Sequence, residues 1–174
     1  ELYITYKQSR RGKRRSADQV SFELNQFSRL GALYDSMCSR TYIPSSNYSF
    51  IHRRPKPREV WACNMEHKIL QTYLCDRFKP ILEKMLTDRT FNNRVGYGTH
   101  AAINQVIEDI YTASCGYTKD CWVIKLDLRG YFPNINQDIS WRIIEKAIIG
   151  NYFGDVKDEL LYIAKVINYD NPQY

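Results

Sequence analysis

The sequence predicts a mixed α/β (α+β) fold that is rich in helices and contains a small sheet. Apolar residues recur at helical spacing in five stretches, residues 17–40, 66–85, 99–115, 136–150 and 154–168. Three shorter runs rich in bulky apolar residues predict strands at 47–53, 58–63 and 121–127. The 174 residues suffice for one domain with a real core or for two small lobes.

The chain begins with a basic segment, residues 1–15, which is expected to be irregular. Residues 7–15 contain six lysines and arginines and no acid, a number equal to the whole net charge of +6. Such a cluster suits a phosphate backbone, and a solvated tail is the alternative. Ser16-Ala17-Asp18-Gln19 matches a capping box, so the first helix is expected to start at residue 17.

A basic turn joins the first two predicted strands. It contains Arg53, Arg54, Pro55, Lys56, Pro57 and Arg58. The two prolines stiffen the turn and remove amide donors, so the four cations should be displayed at a hairpin tip. A solvent-facing charged hairpin without a ligand is the alternative. In the helix that follows, Pro80 is expected to cause a kink or to begin a new helix.

A loop with two glycines precedes the helix at 99–115. Gly98 and Thr99 stand at the helix start, where backbone amides can bind a phosphate. The alternative is a tight turn in which one of the two residues caps the helix. The dinucleotide-binding fingerprint is excluded, because no strand precedes the loop and the third glycine is absent.

Asp127 follows a predicted strand that should be buried on both faces. A buried carboxylate needs a partner, because an unpaired buried charge is costly. Three partners are open on the pattern alone: a helix N-terminus, an arginine such as Arg129, or a divalent metal ion. Gly130 and Pro133 turn the chain after Asp127. By itself, Phe132 is best explained as a core aromatic, and Asn136 is expected to cap the next helix.

Other site classes find little support in the sequence. No apolar run approaches the roughly 20 residues that a membrane-spanning helix needs, so no membrane contact is expected. The five cysteines are scattered and the three histidines are isolated, which indicates reduced thiols in a cytoplasmic protein and no zinc site. Because Glu1 is not a natural start, the chain is expected to be a fragment.

The segment around Asp127 resembles the first catalytic motif of reverse transcriptases. The motif is an Asp with an aromatic residue five positions later, here Asp127 and Phe132, within Tyr131-Phe132-Pro133-Asn134-Ile135. The resemblance implies that Asp127 and the Leu128 carbonyl help to hold two Mg²⁺ ions. It also implies that Tyr131 and Phe132 contact the nucleotide, with Phe132 under the sugar, where it excludes a 2′-hydroxyl.

Two upstream segments extend the resemblance across most of the chain. Residues 42–44, Phe50 and residues 54–62 resemble the fingers motif of bacterial reverse transcriptases, closest to those of diversity-generating retroelements; retron and group II intron types fit less well. This similarity implies that Lys56 or Arg58 reaches the triphosphate and that Arg53 and Arg54 meet the template. Residues 91–103 resemble the next motif, which implies that Arg94, Gly98 and Thr99 lie near the template and nucleotide.

The resemblance implies the fingers (16–115) and a partial palm (116–174) of a right-hand polymerase. The complete enzyme would use Mg²⁺ to copy an RNA template from a DNA primer with deoxynucleoside triphosphates. The chain alone is expected to be inactive, because no second carboxylate accompanies Asp127 at the strand end. An accessory protein or a homodimer through exposed palm surface is a further expected partner. The alternative function is a non-catalytic RNA-binding module with a polymerase-like fold.

Overall fold

The computed structural model describes residues 1–12, 16–44 and 48–170, which form two units. The first unit contains residues 1–81 and the described part of 136–174, and the second contains residues 82–135. The helices are α1 (Leu2–Arg10), α2 (Ala17–Leu24), α3 (Gln26–Cys38), α4 (Met65–Met85), α5 (Thr99–Ala113), α6 (Gln137–Asn151) and α7 (Lys157–Asn168). The strands are β1 (Tyr48–His52) and β2 (Arg58–Ala62).

The helix-rich α+β class is therefore confirmed, with one antiparallel two-stranded sheet among the described residues. The two units divide the chain at 81/82 and 135/136, whereas the predicted fingers and palm divide it at 115/116. Because nothing in the fold identifies a polymerase lobe, the fingers and palm remain a prediction.

Helix α1 corrects the expectation of irregular structure for residues 2–10, whereas residues 13–15 of the predicted basic segment lie outside the described residues. Tyr6 is buried and its ring lies 5.3 Å from that of Phe22. Arg10 bonds to Glu23 at 2.5 Å, and hydrogen bonds from Arg10 and then Gln19 lower the pKa of the Glu23 carboxyl to about 2. Residues 2–10 are helical because they pack on α2. The basic composition of the segment gives no indication of this contact.

The predicted helix at 17–40 is two helices that meet at Asn25. Ser16 caps α2 as expected, since its side chain accepts a hydrogen bond from the Gln19 amide at 3.2 Å. The reciprocal half of the capping box is missing, because the Gln19 side chain bonds to Glu23 at 2.8 Å instead.

The core of the first unit lies between α1, α2, α3, α4, α6 and α7. Helix α4 runs through Pro80 without ending, so no new helix begins there, and the alternative of a kink stays a prediction. The predicted cap of α6 is confirmed, because the Asn136 side chain accepts from the amides of Asp138 and Ile139 at 3.0 Å each. The buried core residues are Tyr6, Phe22, Leu30, Leu33, Met65, Ile69, Leu70, Tyr73, Ile148, Leu160, Ile163 and Ala164.

The strand predicted at 121–127 is wrong. Residues 121–128 form no helix, strand or turn, and apolar side chains along them are exposed rather than buried. A buried strand requires neighbours that satisfy its backbone groups on both edges. The described residues provide no third strand to pair with 121–128.

Candidate nucleotide and nucleic-acid site

The hairpin tip carries cations that no acid neutralises within the described residues. Arg53, Arg54, Lys56 and Arg58 are all exposed and take part in no ion pair there. Five other arginines do pair with acids, namely Arg10, Arg29, Arg77, Arg89 and Arg94. The hairpin is thus a place where positive charge remains available for a phosphate.

The strand register distinguishes Arg58 from Lys56, the two candidates for the contact with the triphosphate. Arg58 pairs with His52, and Val60 pairs with Phe50, so these side chains project from one face of the hairpin. Lys56 lies in the turn between the strands. Arg58 therefore has a direction fixed by the sheet, whereas Lys56 does not.

Arg94 lies at the centre of the loop that precedes α5. Its side chain is 7% exposed and bonds to the Glu83 carboxylate at 2.9 Å. One guanidinium nitrogen, Nη1, donates to the carbonyls of Thr87 at 2.8 Å and Thr90 at 3.0 Å. The guanidinium also lies 3.8 Å from the centre of the Tyr97 ring. In this arrangement Arg94 holds the loop together, which is a different role from the template contact that the resemblance implies.

We expect Arg94→Ala to loosen the loop at 86–98 while leaving RNA affinity nearly unchanged. The substitution removes the donors that satisfy two carbonyls and Glu83, a loss of about 1–3 kcal/mol of local stability. Limited proteolysis should then cut the loop faster. Arg89→Ala is the matched control, because Arg89 pairs with Asp109 on an exposed surface, where ion pairs contribute little. A reduced salt dependence of RNA binding in Arg94→Ala would instead support a direct phosphate contact.

A cavity of about 620 Å³ opens beside the start of α5. Gly98 precedes the helix with extended backbone, and Thr99 is its first residue. Gly98, Thr99 and Arg94 all line this cavity. The structure therefore brings together the three residues that the resemblance at 91–103 implies. The full lining is Phe91, Asn92, Asn93, Arg94, Val95, Tyr97, Gly98, Thr99 and Ala102.

The Asp127 carboxylate is exposed and contacts no described residue by hydrogen bond or ion pair. This corrects the expectation that Asp127 is buried, and of the three partners left open Arg129 forms no ion pair with it in the described chain. Leu128, Tyr131 and Phe132 are exposed as well, and the two aromatic rings meet edge to face at 5.3 Å. Phe132 is thus not a core residue here. It begins a short 3-10 helix, Phe132–Asn134.

The turn after Asp127 is built by Gly130 and Asn134. Gly130 has a φ of 62°, and its carbonyl accepts a hydrogen bond from the Asn134 side chain at 2.7 Å. A Cβ atom at position 130 would lie 2.9 Å from the Asn134 amide nitrogen. Glycine is therefore favoured by the backbone conformation, and a side chain at position 130 would also displace the Asn134 amide.

The residues present do not complete a two-magnesium site. Magnesium prefers six oxygen ligands, and a protein usually supplies them through more than one carboxylate. Asp127 and the Leu128 carbonyl are two such oxygens in one segment. Among the described residues, no group of three histidine, cysteine, aspartate or glutamate side chains is arranged to hold a metal ion.

The predicted site residues fall into the two units. Asp127, Leu128, Tyr131, Phe132, Arg94, Gly98 and Thr99 belong to the second unit, and Arg53, Arg54, Lys56 and Arg58 belong to the first. The first unit also contains a polar cluster that sequence patterns did not indicate. Buried His67 lies 3.3 Å from the Tyr42 hydroxyl through Nδ1 and 3.4 Å from Asp170 through Nε2.

Burial dominates the electrostatics of this cluster. It lowers the pKa of His67, and the Asp170 carboxylate only partly opposes that shift. It also raises the pKa of the Tyr42 hydroxyl. His67, on α4, thus contacts the residues that follow α3 and α7, which is a structural role. No sequence pattern around His67 predicted Tyr42 and Asp170 as its partners, because both are distant along the chain.

Comparison with known proteins gives one weak similarity. The chain is 27% identical to Protein YkfC of Escherichia coli (strain K12) over 109 residues. The match covers 63% of this chain and 26% of YkfC, so the chain spans about a quarter of that relative's length. No protein-family model matches the chain. No helix in the described part is both long and apolar enough to cross a membrane.

Proposed function

We propose that the chain is the fingers and N-terminal palm part of an RNA-directed DNA polymerase of the bacterial retroelement type. The observation that carries the proposal is the basic hairpin, where four exposed cations lack acidic partners in the described chain and stand in the segment that resembles the fingers motif. Phosphoryl transfer requires cations around the triphosphate, because negative charge on the phosphates must be stabilised.

The residues of this chain would bind and orient the reactants. Arg58, whose direction is fixed by β2, would contact the triphosphate, and Lys56 would assist from the turn. Arg53 and Arg54 would meet the template backbone. The Phe132 ring would lie against the sugar of the incoming nucleotide, next to Tyr131.

Magnesium, when bound, would activate the primer 3′-hydroxyl and stabilise the departing pyrophosphate. Asp127 and the Leu128 carbonyl would supply part of its ligand set. The other carboxylates are proposed to come from the rest of a longer protein, and the 174 residues alone would not polymerise. An RNA-binding module without catalysis is the second candidate, because the same free cations would serve it equally well.

The charge-neutralising substitutions Arg53→Ala and Arg54→Ala test the hairpin as an RNA contact. We expect the double variant to bind a single-stranded RNA oligonucleotide more weakly and with a flatter dependence of log K on log salt. Each lost phosphate contact should reduce the slope by about 0.7. Fluorescence anisotropy across a salt series measures both quantities.

The matched control removes two exposed cations from α6, Arg142→Ala with Lys146→Ala. It makes the same change in net charge and should leave the slope nearly unaltered. An unchanged slope in the hairpin variant, or an equal change in the control, would show that the hairpin is only a solvated charged surface.

A further inference from the structure

A second cavity lies within the first unit and contains none of the residues assigned to the proposed polymerase site. It has a volume of about 700 Å³ and is lined by residues from α1, α3, α4 and α7. Its walls are mostly apolar and aromatic, and they include the buried side chains of Leu30, Leu70 and Ile163. Pockets for small organic molecules usually measure roughly 300–1,000 Å³ and have a largely apolar lining. The cavity has the size and the lining of such a pocket.

A glycine in the middle of α3 leaves an opening in the wall of this cavity. Phe27, Gly31 and Tyr34 all line the cavity and lie three or four residues apart, so they share one face of the helix. Phe27 is 71% exposed and Tyr34 59%, and a Cβ atom at position 31 would meet no atom within 4 Å. Glycine inside a helix is less stable than alanine. The missing side chain at position 31 therefore leaves space between two aromatic residues at a cost in helix stability.

Arg40 lines the cavity in a backbone conformation that usually belongs to glycine. Its φ is 57°, and its amide bonds to the Met37 carbonyl at 3.1 Å. The next amide, that of Thr41, bonds to the Ser36 carbonyl at 2.9 Å. These two bonds form a Schellman motif at the end of α3, in which glycine is the usual residue at this position. The Cβ atom of an arginine is disfavoured there. The chain thus places a cation at the cavity where glycine would be more stable.

The charges around the cavity favour an anion. Arg40 and Lys7 form no ion pair with any described residue, and the Lys7 ammonium lies 4.6 Å from the centre of an aromatic ring that lines the cavity. Of the two lining carboxylates, Glu1 is paired with Arg77 at 2.9 Å. The other, Glu159, lies in the first turn of α7, where the positive end of the helix dipole offsets part of its charge.

We propose that this cavity binds an amphipathic organic anion, a molecule with an apolar body and one negatively charged head group. The apolar body would contact Phe27, Tyr34 and the apolar lining, and the head group would contact Arg40. Charge complementarity selects this class of ligand over a neutral or cationic one. The inference does not depend on the polymerase function, because the two sites share no residue.

Two fluorescent dyes that differ in charge test the site in the 174-residue chain. Anilinonaphthalene sulfonate is an aromatic anion, and phenylnaphthylamine is its uncharged analogue. We expect saturable binding of the anionic dye in a fluorescence titration. Gly31→Leu should weaken this binding at least about tenfold, because the new side chain takes up the space between Phe27 and Tyr34.

Gly150→Leu is the matched control for Gly31→Leu. Gly150 lies in α6, does not line this cavity, and also meets no atom within 4 Å of an added Cβ. Its variant should bind the anionic dye like the original chain. Dye bound to other apolar surfaces, such as the exposed side chains of residues 121–128, should be the same in both variants.

Arg40→Gly separates the charge of the site from its structure. We expect the anionic dye to bind about fivefold more weakly, as for the loss of one exposed ion pair, and the affinity of the uncharged dye to change by less than about twofold. The melting temperature should rise, since glycine suits a φ of 57°. A merely structural residue would not combine higher stability with weaker binding of the anion alone.

Three results would overturn the proposal. The first is the absence of saturable binding of the anionic dye. The second is an affinity that Gly31→Leu leaves intact while circular dichroism shows a folded chain, or an equal loss of both dyes in Arg40→Gly. The third is a chain that sediments as a dimer without the dye and as a monomer with it, which would assign the cavity to a second copy. Arg40→Gly keeps the test decisive if Gly31→Leu fails to fold.

Discussion

Asp127→Asn, placed in the complete protein, is expected to reduce Mg²⁺-dependent DNA synthesis by about a thousandfold, or about 4 kcal/mol in transition-state stabilisation. Asparagine keeps the shape of the side chain and removes the negative charge that a magnesium ligand provides. Because the Asp127 carboxylate is exposed and contacts no described residue, the substitution leaves folding intact. Primer extension on an RNA template measures the loss.

Asp120→Asn is the control for this experiment, since it makes the same chemical change seven residues earlier at another exposed position. It should extend primers at the original rate. Full activity in Asp127→Asn would remove Asp127 from the catalytic site. If the complete protein binds RNA but neither form synthesises DNA, the non-catalytic RNA-binding module becomes the correct function.

Phe132→Ala is expected to relax discrimination against ribonucleotides by about 10- to 100-fold in the ratio of kcat/KM values. A ring under the sugar rejects a 2′-hydroxyl by steric clash, so a smaller side chain should admit it. The exposed position of Phe132 makes this test clean, because removal of the ring costs the described fold little packing. Single-nucleotide incorporation with paired deoxy- and ribonucleotides measures the ratio.

Phe153→Ala is the matched control, since Phe153 is a similarly exposed phenylalanine outside the motif. Its discrimination ratio should equal that of the original protein. An unchanged ratio in Phe132→Ala, together with a lower melting temperature, would identify Phe132 as a packing residue in the complete protein.

Local chemistry made part of this fold predictable. The hairpin followed from two strand-like runs around Pro55 and Pro57, and the observed strands agree with the prediction within two residues. Asn136 and Ser16 were recognisable as caps because their partners are amides only two or three residues away. Such signals depend only on residues that are close together in the sequence, so the sequence alone is enough to predict them.

The errors share a different physical cause. Residues 121–127 carry the side chains that are typical of a buried strand. Burial, however, depends on neighbouring strands, and the side-chain pattern does not show whether these exist. The same holds for α1, whose Tyr6 packs on Phe22, and for His67, whose partner Asp170 lies near the other end of the chain. The template contact of Arg94 stays a prediction, whereas its internal contacts depend on a loop geometry that no spacing rule specifies.

The uneven distribution of buried residues has a thermodynamic consequence. Of the described side chains in residues 82–135, only Ser114 is buried, and α5 contains no buried residue. Apolar burial is the main term that offsets the loss of chain entropy on folding, so this part of the chain gains little from remaining ordered. Local unfolding of α5 therefore costs far less than global unfolding. We expect that a single two-state free energy does not describe this chain, because the two units differ so much in buried side chains.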